Sequence, residues 1–245
     1  MHLLCIMSSQ TLNMQLIVLC GGLGTRLGPL TRETPKPMLQ VAGRPFLAHV
    51  LDRIHLPGIS SIVLAVGFQW EKISSYVGNH WNGIPIHYAV ETQPLGTGGA
   101  IKNAMTTVGA DEALIVNGDT LFPINLISFI DFAKERNALV CLALRPVDDC
   151  SRYGRVTLGS SGEMLTFGEK GFNGAGLING GVYYIRRKCF DGIMAESFSF
   201  ETDFLATQPP GHPIYAMTFD NYFIDIGIPS DLLRAEVELQ AMEES

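Results

Sequence analysis

The stretch LIVLCGGLGTRLGPLTRETPKPM, residues 16–38, runs from an apolar strand pattern straight into a glycine-rich turn. Residues 16–20 form a run of strand length, and Gly21, Gly22, Leu23 and Gly24 then offer consecutive backbone amides. Glycine backbone can approach an anion closely, and successive amides in a turn make a concavity that suits one. Arg26 and Lys36 follow in the same stretch. Arginine presents a bidentate fork to phosphate oxygens, and lysine a compact point charge. Pro35 and Pro37 flank Lys36 and stiffen the backbone beneath that charge. Taken by itself, the stretch reads either as a phosphate loop at the end of a buried strand or as a tight strand-to-helix turn followed by a solvated basic segment.

Two familiar phosphate loops do not fit it. A Walker A loop needs lysine followed by Ser or Thr after its last glycine, and none follows here. A dinucleotide fingerprint wants a third glycine where Leu27 stands, and an acid at the end of the second strand. Val66, Gly67 and Phe68 occupy that place.

Working outward, further apolar runs at 61–66, 86–90, 113–116 and 139–144 alternate with helical patterns over 45–55, 69–77, 98–106 and 126–136. This alternation predicts an α/β protein, a three-layer, Rossmann-like, mainly parallel mixed sheet that binds ligands at the carboxyl ends of its strands. After Arg145 the texture changes. A hairpin is expected around 159–162, with further strands in GLINGGVYYIRR, IYAMTF and YFIDIG, all expected to be antiparallel additions to the same sheet. Pro229 suits the first position of a last helix. Residues 14–245 are expected to form one domain, with residues 1–13 a loose leader.

The 245 residues carry 47% hydrophobic and 17% charged side chains and a net charge of −7, which suits a soluble enzyme rather than a nucleic-acid-coating protein. An anionic ligand must then be attracted by a local basic pocket. Five widely spaced cysteines without a CxxC pair disfavour a disulfide framework and a zinc site, and Cys20 and Cys141 read as core residues. A cytoplasmic location fits. The longest apolar runs fall short of a membrane span, so no membrane partner is expected. The six histidines form no HExxH spacing, and no G-x-S-x-G elbow is present.

GGLGTRLGPLTRETPKPM closely resembles the signature of the sugar-phosphate nucleotidyltransferases, and the resemblance extends over 14–240. It implies transfer of a nucleoside monophosphate from an NTP to a sugar 1-phosphate. It also implies that Leu19, Gly21, Gly22, Gly24 and Thr25 bind the nucleotide, with Arg26 and Lys36 as catalytic groups. Asp119, ending ALIVNGD, and Asp225, in YFIDIG, become ligands of Mg²⁺, which usually takes one or two carboxylates plus substrate oxygens. Taken alone, either acid could as well cap a turn. ETQPLGTGGAI resembles the family's nucleobase loop, around Gly96 and Thr97; a plain helix start capped by Thr97 is the alternative. GEKG and NGGVYY resemble its sugar-side segments, which implicates Glu169, Lys170 and Asn179. Glu169 and Lys170 could otherwise be a solvated surface pair.

PLGTGGAIKNA, GEKG (with Gly171 where many members carry proline) and FIDIGIP together resemble the short guanylyltransferase branch acting on heptose 1-phosphates, which implies GTP. Mannose 1-phosphate guanylyltransferases and short uridylyltransferases acting on N-acetylmuramate 1-phosphate stand next. A catalytically dead sensor on the same fold would be expected to lack one of Arg26, Lys36, Asp119 and Asp225, and all four are present. An appended β-helix of the kind that longer members carry is not expected. A homodimer is one of the oligomeric states left open.

Overall fold

The computed structural model describes residues 14–22, 24–54, 56–208 and 213–244. The expected leader, residues 1–13, and Leu23 of the first loop lie outside the described residues. In chain order the strands and helices begin with β1 (Met14–Leu19), β2 (Gln40–Val41), β3 (Arg44–Pro45), α1 (Phe46–Asp52), β4 (Ile59–Val66) and α2 (Trp70–Val77). Next come β5 (His80–Trp81), β6 (Ile84–Val90), α3 (Gly96–Thr107), β7 (Glu112–Asn117), β8 (Thr120–Leu121) and α4 (Leu126–Glu135). The second half holds β9 (Val140–Val147), β10 (Arg155–Leu158), β11 (Met164–Phe167), β12 (Gly176–Arg186), β13 (Ile214–Thr218), β14 (Ile224–Asp225) and α5 (Pro229–Glu243).

The main sheet runs in the order β11-β10-β12-β7-β1-β4-β6-β5, with β9 pairing β12 and β13. β7, β1, β4 and β6 are mutually parallel, as the strand–helix alternation predicts. Their residues alternate between two apolar layers, as the period of a strand dictates. Leu16, Val18, Leu64 and Val116 face a core that includes Phe46 and Leu47 of α1, Ile73 of α2, Phe129 of α4 and Leu239 of α5. Ile17, Val63, Ala65 and Ile115 face the other core, with Ile101 and Met105 of α3 and Phe198, Phe200 and Phe204. Helical layers thus cover both faces, and the loops after β1, β6 and β7 are free to meet at the carboxyl edge. Cys20 and Cys141 are buried as expected, and burial pushes both thiols well above their ordinary pKa.

The later strands depart from expectation in two places. β13 pairs parallel with β9, not antiparallel, because the segment between β12 and β13 returns the chain to the start of β9, where Leu139 donates to the Pro213 carbonyl at 2.9 Å. β14 does not join the main sheet; its two residues pair antiparallel with β8. The hairpin of β10 and β11 and the Pro229 helix form where the sequence places them. Among the described residues no helix is long and apolar enough to cross a membrane.

Candidate active site at the carboxyl edge of the sheet

The first loop owes its shape to Gly24. Its φ of 58° is left-handed, which glycine adopts without steric penalty, and an added Cβ would lie 2.9 Å from the Thr31 methyl. The Gly24 carbonyl accepts from the Leu27 amide at 2.9 Å and from the Thr31 hydroxyl at 3.0 Å. Those bonds fold the chain back, bury Leu27 and Thr31 as anchors, and leave Thr25 and Arg26 exposed. Pro35 then starts a tight turn over Lys36–Met38 and buries Lys36. Gly21, Gly22, Gly24, Thr25, Arg26 and Lys36 enclose a cavity of about 190 Å³. The amides and cations singled out in the sequence therefore face one space.

Asp119 and Asp225 meet across a miniature ladder. β8 and β14 pair Thr120 with Asp225, and the Ile226 amide donates to the Asp119 carbonyl at 3.1 Å. The Lys36 ammonium lies 2.6 Å from Asp119 Oδ2 and 3.5 Å from Asp225 Oδ1. Burial pushes the Asp225 carboxyl up, and the Asp119 charge pushes it further, against Lys36 and Arg26. Asp225 Oδ1 is buried and has no hydrogen-bond partner; at 3.5 Å the ammonium acts on it by charge alone. An orphaned carboxylate oxygen beside a second carboxylate, both facing a phosphate loop, is a donor set that fits Mg²⁺, with phosphate and water filling the remaining positions. Among the described residues no cluster of three or more His, Cys, Asp or Glu could hold a metal alone. Gly227 keeps the space open, because a Cβ there would lie 2.9 Å from Asp225 Oδ1 and 3.4 Å from Arg26 Nη2.

A second cavity, of about 600 Å³, opens beside the first and is lined by Leu19, Gly21, Gly22, Glu91, Gly96 and Thr97 among others. Thr97 does not cap α3. Its hydroxyl accepts from the Phe200 amide at 2.8 Å, and the Gly98 amide donates to the Phe198 carbonyl at 2.9 Å. These bonds tie the loop to the 198–204 segment and fix the wall of the pocket. Glu91 directly follows β6 and is half-buried; burial raises its carboxyl pKa, partly offset by the Leu95 amide, which donates to Oε2 at 3.2 Å. Its Oε1 comes so close to Gly21 that a Cβ there would lie at 3.2 Å.

A third cavity, of about 140 Å³, adjoins the two acids on the antiparallel side, with Lys170, Asn179, Glu201, Arg152 and Tyr153 in its wall. Asn179 is aimed by a bulge in β12, whose register against β9 jumps between Asn179 and Tyr183. Gly181 takes a φ of 75° there, and its amide donates to Asn179 Oδ1 at 3.1 Å. Asn179 Nδ2 donates to Glu201 Oε1 at 2.7 Å and to the Tyr183 hydroxyl at 2.5 Å. Burial holds the Tyr183 phenol far above its ordinary pKa, so it stays neutral. Glu169 is exposed and is not part of this wall; only its neighbour Lys170 reaches it.

A glycine loop with two cations, a pair of acids and two flanking cavities are parts that joining a nucleotide to a second phosphate would use. The family model for nucleotidyl transferases matches residues 15–242. The chain belongs to the nucleotidyl transferase family. This nucleotidyl transferase is 41% identical to a D-glycero-alpha-D-manno-heptose 1-phosphate guanylyltransferase of Aneurinibacillus thermoaerophilus, over 93% of this chain and 99% of the other. It is 42% identical to a protein of the same name from Campylobacter jejuni, over 89% and 96%. Among solved structures, HddC of Yersinia pseudotuberculosis in complex with GMP-PN superposes with a TM-score of 0.81 at 33% identity, covering 92% of this chain and 99% of that one. A putative glucose-1-phosphate thymidylyltransferase of Bacillus anthracis, at 21% identity and a TM-score of 0.80, shares the fold.

In the nucleotidyl transferase, three groups that line the cavities escape a reading of the sequence: Glu91, Arg152 and Glu201. An acid directly at the end of an apolar run marks Glu91, the same signal that marks Asp119. Arg152 and Glu201 lie outside any strand ending and carry no comparable signal.

Proposed function

We propose that the protein transfers GMP from GTP to D-glycero-α-D-manno-heptose 1-phosphate and releases pyrophosphate. The observation that carries the base is Glu91, a half-buried carboxylate in the wall of the 600 Å³ cavity. Guanine presents an exocyclic N–H donor on its pairing edge, and the free oxygen of an acceptor-only carboxylate meets it, whereas the carbonyl edge of uracil or thymine would face a repelling oxygen. The acceptor rests on the near full-length likeness to the heptose enzymes.

In this reading an oxygen of the acceptor phosphate attacks the α-phosphorus of GTP. The new O–Pα bond forms as the bond to the β-phosphate bridge breaks, and pyrophosphate carries away the bonding pair. No covalent enzyme intermediate is needed, so the residues position the groups and neutralise their charge. Arg26 and the amides of Gly21, Gly22 and Gly24 hold the leaving pyrophosphate. Lys36 is placed to stabilise charge on the phosphates in flight. Lys170 docks the acceptor phosphate, and Asn179, locked by Glu201 and Tyr183, faces the sugar hydroxyls. Asp119 and Asp225 would hold Mg²⁺, which supplies charge screening between two anionic substrates.

A pyrophosphate-release screen of four NTPs against a panel of sugar 1-phosphates tests the reading. GTP with the heptose 1-phosphate is expected to give the highest kcat/KM. A better rate with UTP, dTTP or CTP refutes guanylyl transfer, and a better rate with mannose 1-phosphate and GTP refutes the heptose alone.

A further inference from the structure

We propose that Arg152 selects the acceptor by donating a hydrogen bond to the hydroxyl on its seventh carbon, an inference that rests on the heptose reading above. Arg152 lies in the loop between β9 and β10, and its side chain lines two spaces at once. One is the 140 Å³ acceptor cavity with Asp225, Lys170 and Asn179, and the other is an adjoining open groove of about 850 Å³. Tyr153 and Phe223 line both as well, packed edge to face with ring centroids 6.3 Å apart. These residues form the seam through which anything longer than the cavity must leave.

The two ends of the guanidinium have different fates. One nitrogen, Nη1, lies 2.7 Å from Oδ2 of Asp231, a largely buried carboxylate in the first turn of α5. The other, Nη2, is buried and has no hydrogen-bond partner. The guanidinium lies over the Tyr153 ring, 5.4 Å from its centroid, and the Arg152 side chain lines the cavity. A buried N–H left unpaired is costly, so an unpartnered donor on such a side chain points to a ligand atom that completes it.

Charge indicates which atom. Asp231 already neutralises Arg152, and the nearby Asp225 carboxylate adds to that field. A compensated guanidinium attracts a phosphate weakly but still offers a directed donor to a neutral hydroxyl. Lys170 makes no ion pair among the described residues and is the better phosphate partner. With the phosphate and pyranose ring held toward Asp225, Lys170 and Asn179, the exocyclic chain of the sugar leads to the seam. A six-carbon sugar ends there, and a seventh carbon adds a hydroxyl that it lacks.

The test compares kcat/KM for heptose 1-phosphate and mannose 1-phosphate, with saturating GTP, in the unaltered enzyme and in Arg152→Met and Arg152→Lys. Arg152→Lys keeps the ion pair with Asp231 and so guards against a folding defect, while losing the second planar donor. Both variants are expected to lower the heptose-to-mannose selectivity ratio about tenfold, through the KM of the heptose substrate, with KM for GTP unmoved. An equal rise in KM for both acceptors would place Arg152 on the phosphate or ring and overturn the proposal. A heptose preference that survives in both variants also overturns it. If the unaltered enzyme shows no such preference, the heptose reading itself falls.

Discussion

Glu91→Gln isolates the charge of the proposed base pocket without changing its volume. Oε2 of Glu91 already accepts from the Leu95 amide, which leaves Oε1, beside Gly21, for the exocyclic amine of guanine. Glutamine has one acceptor oxygen in place of two. Either Leu95 or the base must then face the amide's own N–H groups. A hydrogen bond to a charged acceptor contributes about 1.5–3 kcal/mol, and the partial exposure of Glu91 argues for the lower half, about 2 kcal/mol. That corresponds to a roughly 30-fold loss of kcat/KM for GTP. ITP lacks the exocyclic amine, so its kcat/KM should fall by less than about threefold, and the GTP:ITP ratio should collapse. Because burial raises the Glu91 carboxyl, its proton returns at a higher pH than on an ordinary glutamate, and the unaltered enzyme should lose the GTP preference on the acid side. The variant should show no such acid limb. Steady-state pyrophosphate release with both nucleotides across pH reads all of this. A GTP:ITP ratio unchanged in Glu91→Gln would refute the assignment of the base contact.

Asp119→Asn and Asp225→Asn should each lower kcat/KM at least about a hundredfold at ordinary Mg²⁺, as expected when metal charge stabilisation is lost; near-normal turnover in either would remove it from the metal site. Lys170→Ala should chiefly raise KM for the sugar phosphate and Lys36→Ala chiefly lower kcat, and a reversed pattern would mean that the donor and acceptor sides are exchanged. Tyr184→Phe tests a structural pair: burial tends to raise the Glu112 carboxyl, but hydrogen bonds from Tyr184 and Lys134 outweigh it and hold the pKa low. A depressed carboxylate contributes stability above its unfolded pKa of about 4.3 and loses it as pH falls through the folded value. Urea unfolding should therefore show a loss of about 1 kcal/mol at neutral pH that shrinks below about pH 4, and a loss independent of pH would contradict the linkage.

The parallel half of the fold was legible because its strands are buried on both faces and read as unbroken apolar runs, as in residues 16–20 and 113–116. Periodicity reports which residues are buried but not the direction in which a strand enters a sheet, so the parallel entry of β13 stayed hidden. The two-residue β14 is too short to carry a period and could not be told from a longer strand of the main sheet. In the site, residues tied to a strand end or a glycine turn were visible: Arg26, Lys36, Asp119, Asp225 and Asn179. Glu201 reaches its place through a hydrogen bond to Asn179, 22 positions away in the chain, and Arg152 through an ion pair with Asp231 on α5. Such partners are set by tertiary packing, which no local pattern records.

β12 hydrogen-bonds to β9 along one edge and, at successive positions, to β10 and β7 along the other. β7 leads directly into Asp119, and β12 itself bears Asn179. The strand that leads to Asp119 and the strand that bears Asn179 are therefore neighbours in one continuous ladder. A rotation of one half of the molecule against the other would have to tear backbone hydrogen bonds along an eleven-residue strand. In the proposed reaction the gap between attacking oxygen and phosphorus would thus be gauged by the sheet, as by a fixed ruler. In that reading, adjustment to substrate would fall to the glycine loops at its edge, whose movement would cost no rung.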